Sequence, residues 1–555
     1  MKIKKRDTKR IAAVWAVVSV VFIQLASGQN LPPAGAVPVE IERRLEAQQQ
    51  QINDLRRLVE TQQRLLEKAL SATTPVPPQE LALVPTSVRA PVVPAAALAP
   101  VPAPVVTAAV GPSFPNSAPI KAPLSLEIGG TAITPTGFLD FMQVWRSGVV
   151  PSGVPTSFAE IPFNNTVFGA RRQTISSAAN SRMGLQINSK AFNTNVLGVV
   201  ETDFLGFQPG NVTTTTNAYG MRLRLAFADL QRDKWEILAG QAWSLMTPGR
   251  KGIPPLPGNL FLTQDLDPNI QSGLVWARTP QFRAIYHPSS TVTMGVSFES
   301  GDAYAGGSAG AGAITLPAAF APDYFGQLNT GIGGVAVPNP NSDFIAKIAI
   351  DPNIGDRAVH FEVGGLINRF TFYNPFVSKS FSTVGGGVAF NAGFEVSKNL
   401  SLFTNNFYSN GGGRFIFGEG PNLIIRADGS PSLVQAMSTV NGLEYQVNPK
   451  LKVFSYYSAT YLGRNMTIDP STGKPVGYGY TGSPDSQNRT IQQVSGGFTR
   501  VFWKNPNYGA FQFSGQYSWL TRNPWYVAPD QPSNADLNMV YLGLRYVLPG
   551  SPPVK

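Results

Sequence analysis

The chain has 555 residues, of which 14% are charged and 10% aromatic, with 54 glycines, 47 prolines and no cysteine. The missing cysteine excludes disulfides, thiolate metal sites and cysteine nucleophiles, and only His287 and His360 are left for histidine chemistry, so neither an enzyme nor a cofactor-bearing protein is expected. The net charge of +11 is spread without a basic cluster, which argues against nucleic-acid binding but permits a preference for anionic solutes.

The chain opens with "MKIKKRDTKR", the apolar run "IAAVWAVVSVVFIQLA" and the small-residue segment "LASGQN". This is the pattern of a secretory signal peptide over residues 1–28, cut after Gly28. No later segment is a long uninterrupted apolar span, so a helical membrane protein is not expected. Residues 39–70 place Leu45, Ile52, Val59 and Leu66 seven apart, with Ile41, Gln48, Leu55, Gln62 and Ala69 at the complementary positions. That spacing predicts a short coiled coil with a partly polar seam. Residues 71–123 follow with 13 prolines. Proline at that density has no core to join and favours extended polyproline II geometry, so a semi-rigid tether is expected, rising ~3.1 Å per residue.

From residue 136 to 548 the pattern changes to period two. Met183, Leu185 and Ile187 alternate with polar residues; Met221, Leu223, Leu225 and Phe227 alternate with Arg222, Arg224, Ala226 and Ala228; Val540, Leu542, Leu544, Tyr546 and Leu548 share one face. Short connections near 192, 233, 287, 351, 397, 448 and 504 take turns with long Gly/Asn/Ser-rich ones near 147–180, 206–218, 245–273, 300–342, 370–384, 410–438, 463–488 and 520–537. This predicts an all-β transmembrane fold, a 16-stranded antiparallel outer-membrane β-barrel. A soluble sandwich or propeller also alternates, but has no reason to alternate its loop lengths. Trp145, Trp243, Trp276, Tyr286, Trp503 and Trp519 near strand ends fit interfacial girdles.

The stretch "LAGQAWSLMTPGRKGIPPLPGN", Leu238 to Asn259, leaves the fifth expected strand rich in proline and poor in surface-loop residues. Its place resembles the loop that folds into the lumen of sixteen-stranded general porins, so an inward loop near 245–273 is expected, stiffened by proline. Together "ETDF" at Glu201, "RLRLAFADL" at Arg222, "LAGQAWS" at Leu238 and "RTPQFR" at Arg278 resemble the DcaP-like porins. That resemblance implies a trimeric outer-membrane channel associated with dicarboxylic acids, with an N-terminal coiled coil ahead of a sixteen-stranded barrel. The chain departs from the family in its long tether and in ending "VLPGSPPVK" where a terminal aromatic is usual.

With polar faces inward, Glu201 and Asp203 meet Arg222 and Arg224 across neighbouring strands, in the expected pairs Asp203 with Arg222 and Glu201 with Arg224, a charge ladder on the wall whose arginines also line the pore as solute-binding candidates. Arg182, Lys190, Arg250, Lys251, Arg278 and Arg283 have no obvious carboxylate neighbour in sequence and are the leading solute-contacting candidates, with a bulge at Pro280 bringing both Arg278 and Arg283 inward. The expected function is passive passage of small anionic solutes through a homotrimer in outer-membrane lipid, with the coiled coil in the periplasm. The alternative is a structural barrel whose tether and coiled coil contact peptidoglycan or a periplasmic partner.

Overall fold

The computed structural model describes residues 124–150, 152–206, 220–256, 261–262, 271–307, 312–330 and 339–551. The expected signal peptide, coiled coil and proline-rich tether lie outside these residues.

The strands are β1 (Thr131–Arg146), β2 in two pieces (Gln173–Ser177 and Arg182–Ala191), β3 (Thr194–Gly206), β4 (Gly220–Arg232), β5 (Trp235–Trp243), β6 (Arg278–Tyr286), β7 (Val292–Glu299) and β8 (Asp343–Ile350). They continue with β9 (Arg357–Asn374), β10 (Lys379–Ser397), β11 (Leu400–Asn410), β12 (Gln435–Asn448), β13 (Leu451–Leu462), β14 (Asn488–Asn505), β15 (Gly509–Pro524) and β16 (Ala535–Val547). Each pairs antiparallel with the next, and β16 closes on β1 with Asp140 opposite Arg545, giving a closed 16-stranded barrel. Closure leaves no open edge with unpaired backbone groups, which a membrane-spanning sheet requires.

Alternation explains the two surfaces. Leu139, Phe141, Met183, Leu185, Met294, Val296, Phe298, Val540, Leu542 and Leu544 are exposed on the outside, where a soluble protein would bury such residues. No helix among the described residues is long and apolar enough to cross a membrane.

Four local expectations are corrected. The face assigned to Met221, Leu223, Leu225 and Phe227 is not continuous: the β3/β4 register shifts between Glu201 and Thr202, so Met221 and Leu223 stay outside while Leu225 and Phe227 are buried inward. A bulge at Arg224 does this, because one extra residue reverses the parity of everything after it. The connection expected near 370–384 is strand on both sides of a short turn at 375–378, since β9 and β10 pair in register from Val359↔Phe394 to Asn374↔Lys379. No bulge forms at Pro280, where the β5/β6 register runs unbroken. Finally, Trp243 and Trp276 are 6% and 5% exposed with ring centroids 3.9 Å apart, packed in the interior and not in a girdle.

The loops at the opposite end from the short turns fold inward. Val150, Val154, Phe158 and Ile161 of the first loop pack with Phe261, Leu262 and Leu274 in one buried cluster. Leu245, Met246 and Ile253 pack with Phe415, Ile416 and Ile424 in another. The apolar core therefore sits inside the barrel, between loops and wall.

Candidate functional site

The segment after β5 enters the lumen, and its backbone is held there by wall residues. Leu245 N donates to Glu299 Oε1 at 2.8 Å, Gly249 N to Glu362 Oε1 at 3.1 Å and Gly252 N to Asp351 Oδ2 at 2.9 Å, while Lys347 Nζ donates to Thr247 O at 2.6 Å. Farther on, Leu262 N donates to Tyr456 Oη at 3.2 Å and Ser272 N to Gln493 Oε1 at 2.9 Å. The returning arm is closed by Gly273 N on Glu419 Oε1 at 3.0 Å and Trp276 N on Phe415 O at 2.9 Å. The loop so reaches from β7–β9 across to β12–β14. An inward segment needs these donors because water no longer satisfies its backbone N–H groups.

Under the bend, Lys347 Nζ lies 3.0 Å from Glu362 Oε1, and His360 bridges Asp351 at 2.8 Å and Glu362 at 3.3 Å. Asn391 Nδ2 donates to the same Glu362 Oε1 at 2.7 Å. His360 thus serves a latch and has no nucleophile partner among the described contacts. At the returning arm, burial pushes the Glu419 carboxyl up to about 7, against hydrogen bonds from Thr460, Gly273 and Ser272 that pull it down.

The ladder residues come together. Arg222 Nε and Nη2 donate to Asp203 at 3.0 and 2.6 Å, and Arg224 donates through Nε to Glu201 at 2.8 Å and through Nη1 to Asp203 at 2.6 Å. The strict register puts Leu225, not Arg224, opposite Glu201; the bulge lets Arg224 reach both acids.

Two cations described above as lacking a carboxylate have one. Arg182 lies 3.6 Å from Glu201, with its guanidinium over Phe138, and Arg250 makes a two-pronged pair with Glu444 while stacking 4.0 Å from the Phe403 ring centroid. Sequence reasoning missed both because each partner sits on another strand, Glu201 across a hairpin and Glu444 some two hundred residues away. Lys251 is exposed in the inward loop, and Lys190 is exposed at the turn end of β2. Arg278 stacks 5.1 Å from the centroid of the buried Trp243. Arg283 is buried, donating to Gln281 Oε1 at 3.1 Å and to the Trp243 carbonyl, so it braces the wall beneath the loop.

Lys452, Glu444 and Tyr456 were not singled out by sequence. Tyr456 Oη donates to Glu444 Oε1 at 2.8 Å and Lys452 Nζ lies 3.6 Å from Glu444 Oε2, so one carboxylate organises Arg250, Lys452 and Tyr456. The only sequence signal was Glu444 standing between Leu443 and Tyr445 at an inward position.

Fold and interior together define the class: a closed sixteen-stranded antiparallel barrel with an apolar exterior and a charged lumen narrowed by the loop after its fifth strand. No family model and no curated protein matches the chain. Among solved structures it is similar to the outer membrane channel DcaP of Acinetobacter baumannii, at 19% identity and a TM-score of 0.54, over 76% of this chain and 99% of that one. The anion-selective porin from Comamonas acidovorans matches at 11% identity and a TM-score of 0.43, over 75% of this chain and 100% of that one. Pseudomonas putida OprB matches at 10% identity and a TM-score of 0.42, over 75% and 94%. What is shared with the DcaP channel is the barrel fold.

Proposed function

We propose that the chain is an outer-membrane porin that admits small hydrophilic solutes by passive diffusion and prefers anions, dicarboxylates first. The observation that carries this reading is the layering of the ion pairs. In Arg222/Asp203 the side chains are 34% and 1% exposed, in Arg250/Glu444 28% and 4%, and in Lys452/Glu444 19% and 4%. The cation meets water and the carboxylate lies behind it. Arg224/Glu201 runs the other way, at 1% and 21%, so the layering is not universal. A wall nearly neutral in total can still present guanidinium edges, whose fork matches a carboxylate in two hydrogen bonds.

The dicarboxylate preference rests on the motif resemblance, as does assembly as a homotrimer. Residues 39–123 add a second role in this reading, holding a periplasmic coiled coil on a tether toward the cell wall or a periplasmic partner. Deleting them should damage envelope integrity while conductance survives.

The test of the main reading is planar-bilayer recording of the full chain in a salt gradient. The reversal potential should report anion preference, and added dicarboxylates should compete with the chloride current. Clear cation selectivity would sink the proposal.

A further inference from the structure

The outer wall of β5–β9 carries a depression that the transport reading does not use. Antiparallel registers align Ala284 with Val296, Val296 with Ala346 and Ala346 with Gly365, a row across four strands in which only Val296 is larger than alanine. One row toward the loop end stand Phe282, Phe298, Phe344 and Ile367; one row toward the short turns stand Tyr286, Met294, Ile348 and Val363. Between the small side chains and the lower row lies an open depression of about 520 Å³, lined by Ala284, Ala346, Gly365, Met294 and Ile348 and bounded at its lower end by Trp235 and Tyr286, whose ring centroids are 4.6 Å apart. Being open to the outside, the depression is filled by whatever lies against the barrel wall, and an occupant that fits it gains dispersion contacts over one that does not.

The lower end of the hollow is also the charged end. Trp235 pairs with Arg232 across the Asp233–Lys234 turn. Arg232 shares the outer face with Leu230; its only carboxylate contact among the described residues is a loose one, 3.9 Å from Asp233 with both side chains largely exposed. Lys234 is exposed, with Nζ on Pro288 O at 2.9 Å.

We propose that this hollow binds one acyl chain of an anionic phospholipid, whose phosphate is met by Lys234 and Arg232 beside the Trp235/Tyr286 pair. This rests on the reading of the barrel as membrane-spanning. Lipid tails are as apolar as the hollow itself, so selection over bulk lipid comes from fit and from the headgroup, not from hydrophobicity. A juxtamembrane cation contributes ~1 kcal/mol toward an anionic lipid, about fivefold in affinity.

The experiment is native mass spectrometry of the delipidated full chain, titrated with phosphatidylglycerol or with phosphatidylcholine of the same acyl chains. Wild type should hold the anionic lipid at least about fivefold more tightly. Ala346→Trp, which fills the hollow, should lose the tight adduct with both lipids. Lys234→Gln combined with Arg232→Gln should lose the headgroup preference and keep the acyl adduct. Ala284→Phe gives a second way to fill the hollow should Ala346→Trp fold poorly. Identical adducts in wild type and both filled variants would overturn the proposal. So would a change of oligomeric state in the filled variants, which would assign the hollow to a second copy of the chain. Membrane insertion is read separately, from the heat-dependent gel shift of the folded barrel, so failure of the lipid site and failure of the membrane reading give different results.

Discussion

Asp203 shows how much one buried side chain holds together. It is 1% exposed and accepts from both Arg222 and Arg224, the latter also 1% exposed. Removing one partner of a buried pair strands the other charge, which costs about 3–5 kcal/mol. Asp203→Ala should therefore lower the unfolding free energy by that amount, measured from the loss of the heat-dependent gel shift in denaturant; a change below about 1 kcal/mol would mean Glu201 suffices for both arginines. A different strain sits at the β2/β3 turn, where Phe192 and Asn193 have φ of 48° and 62°. Both values belong to the left-handed region that suits Asn or Gly and penalises other side chains. Phe192→Asn should stabilise the barrel by about 1 kcal/mol, read from the same assay.

The inward loop depends on carboxylates at both ends. At its arginine, Arg250→Ala leaves Glu444 with Lys452, while Glu444→Gln leaves Arg250 without its counter-charge. One unit charge roughly 10 Å from the path at an intermediate dielectric changes local ion occupancy about two- to tenfold. Arg250→Ala should lower the anion-to-cation permeability ratio and Glu444→Gln should raise it, both read from reversal potentials; shifts of the same sign would remove the pair from the selectivity filter. At its returning arm, Glu419 has a pKa raised by burial to about 7 from an ordinary value of 4.5. A raised carboxyl contributes stability in full below its unfolded value, and that stability is lost as pH rises through about 7. The thermal midpoint in detergent should accordingly be higher at about pH 5 than at about pH 8, and Glu419→Gln should flatten the difference.

At the scale of the whole molecule, closure brings the chain's distant ends into register. Asp140 on β1 and Arg545 on β16 face one another at 3.2 Å, and the guanidinium lies 4.2 Å from the Phe138 ring centroid. Arg545→Ala leaves Asp140, 1% exposed on its side chain, without its cation at the seam, an expected loss of about 3 kcal/mol or more on the same denaturation assay. The lumen is crowded by loops whose apolar residues pack on one another, so the passage is set by loop packing as much as by strand number.

The strands were legible because a lipid-facing wall must repeat every second residue, and a short turn must alternate with a long loop when hairpins cross a membrane. Prolines and the pair Arg250/Lys251 mark the segment after β5 as unlike a solvated loop, but its inward course was expected only from the resemblance of its position to the loop of general porins. The pairing of Asp203 with Arg222 followed from antiparallel adjacency alone. What sequence could not give was phase and partnership. The bulge at Arg224 reverses the face of Leu225 and Phe227, and nothing in "RLRLAFADL" marks it, because parity breaks wherever one strand gains a residue against its neighbour. Arg250 finds Glu444 only because a closed barrel brings β12 to the loop after β5, a contact spanning 194 residues that no local pattern encodes.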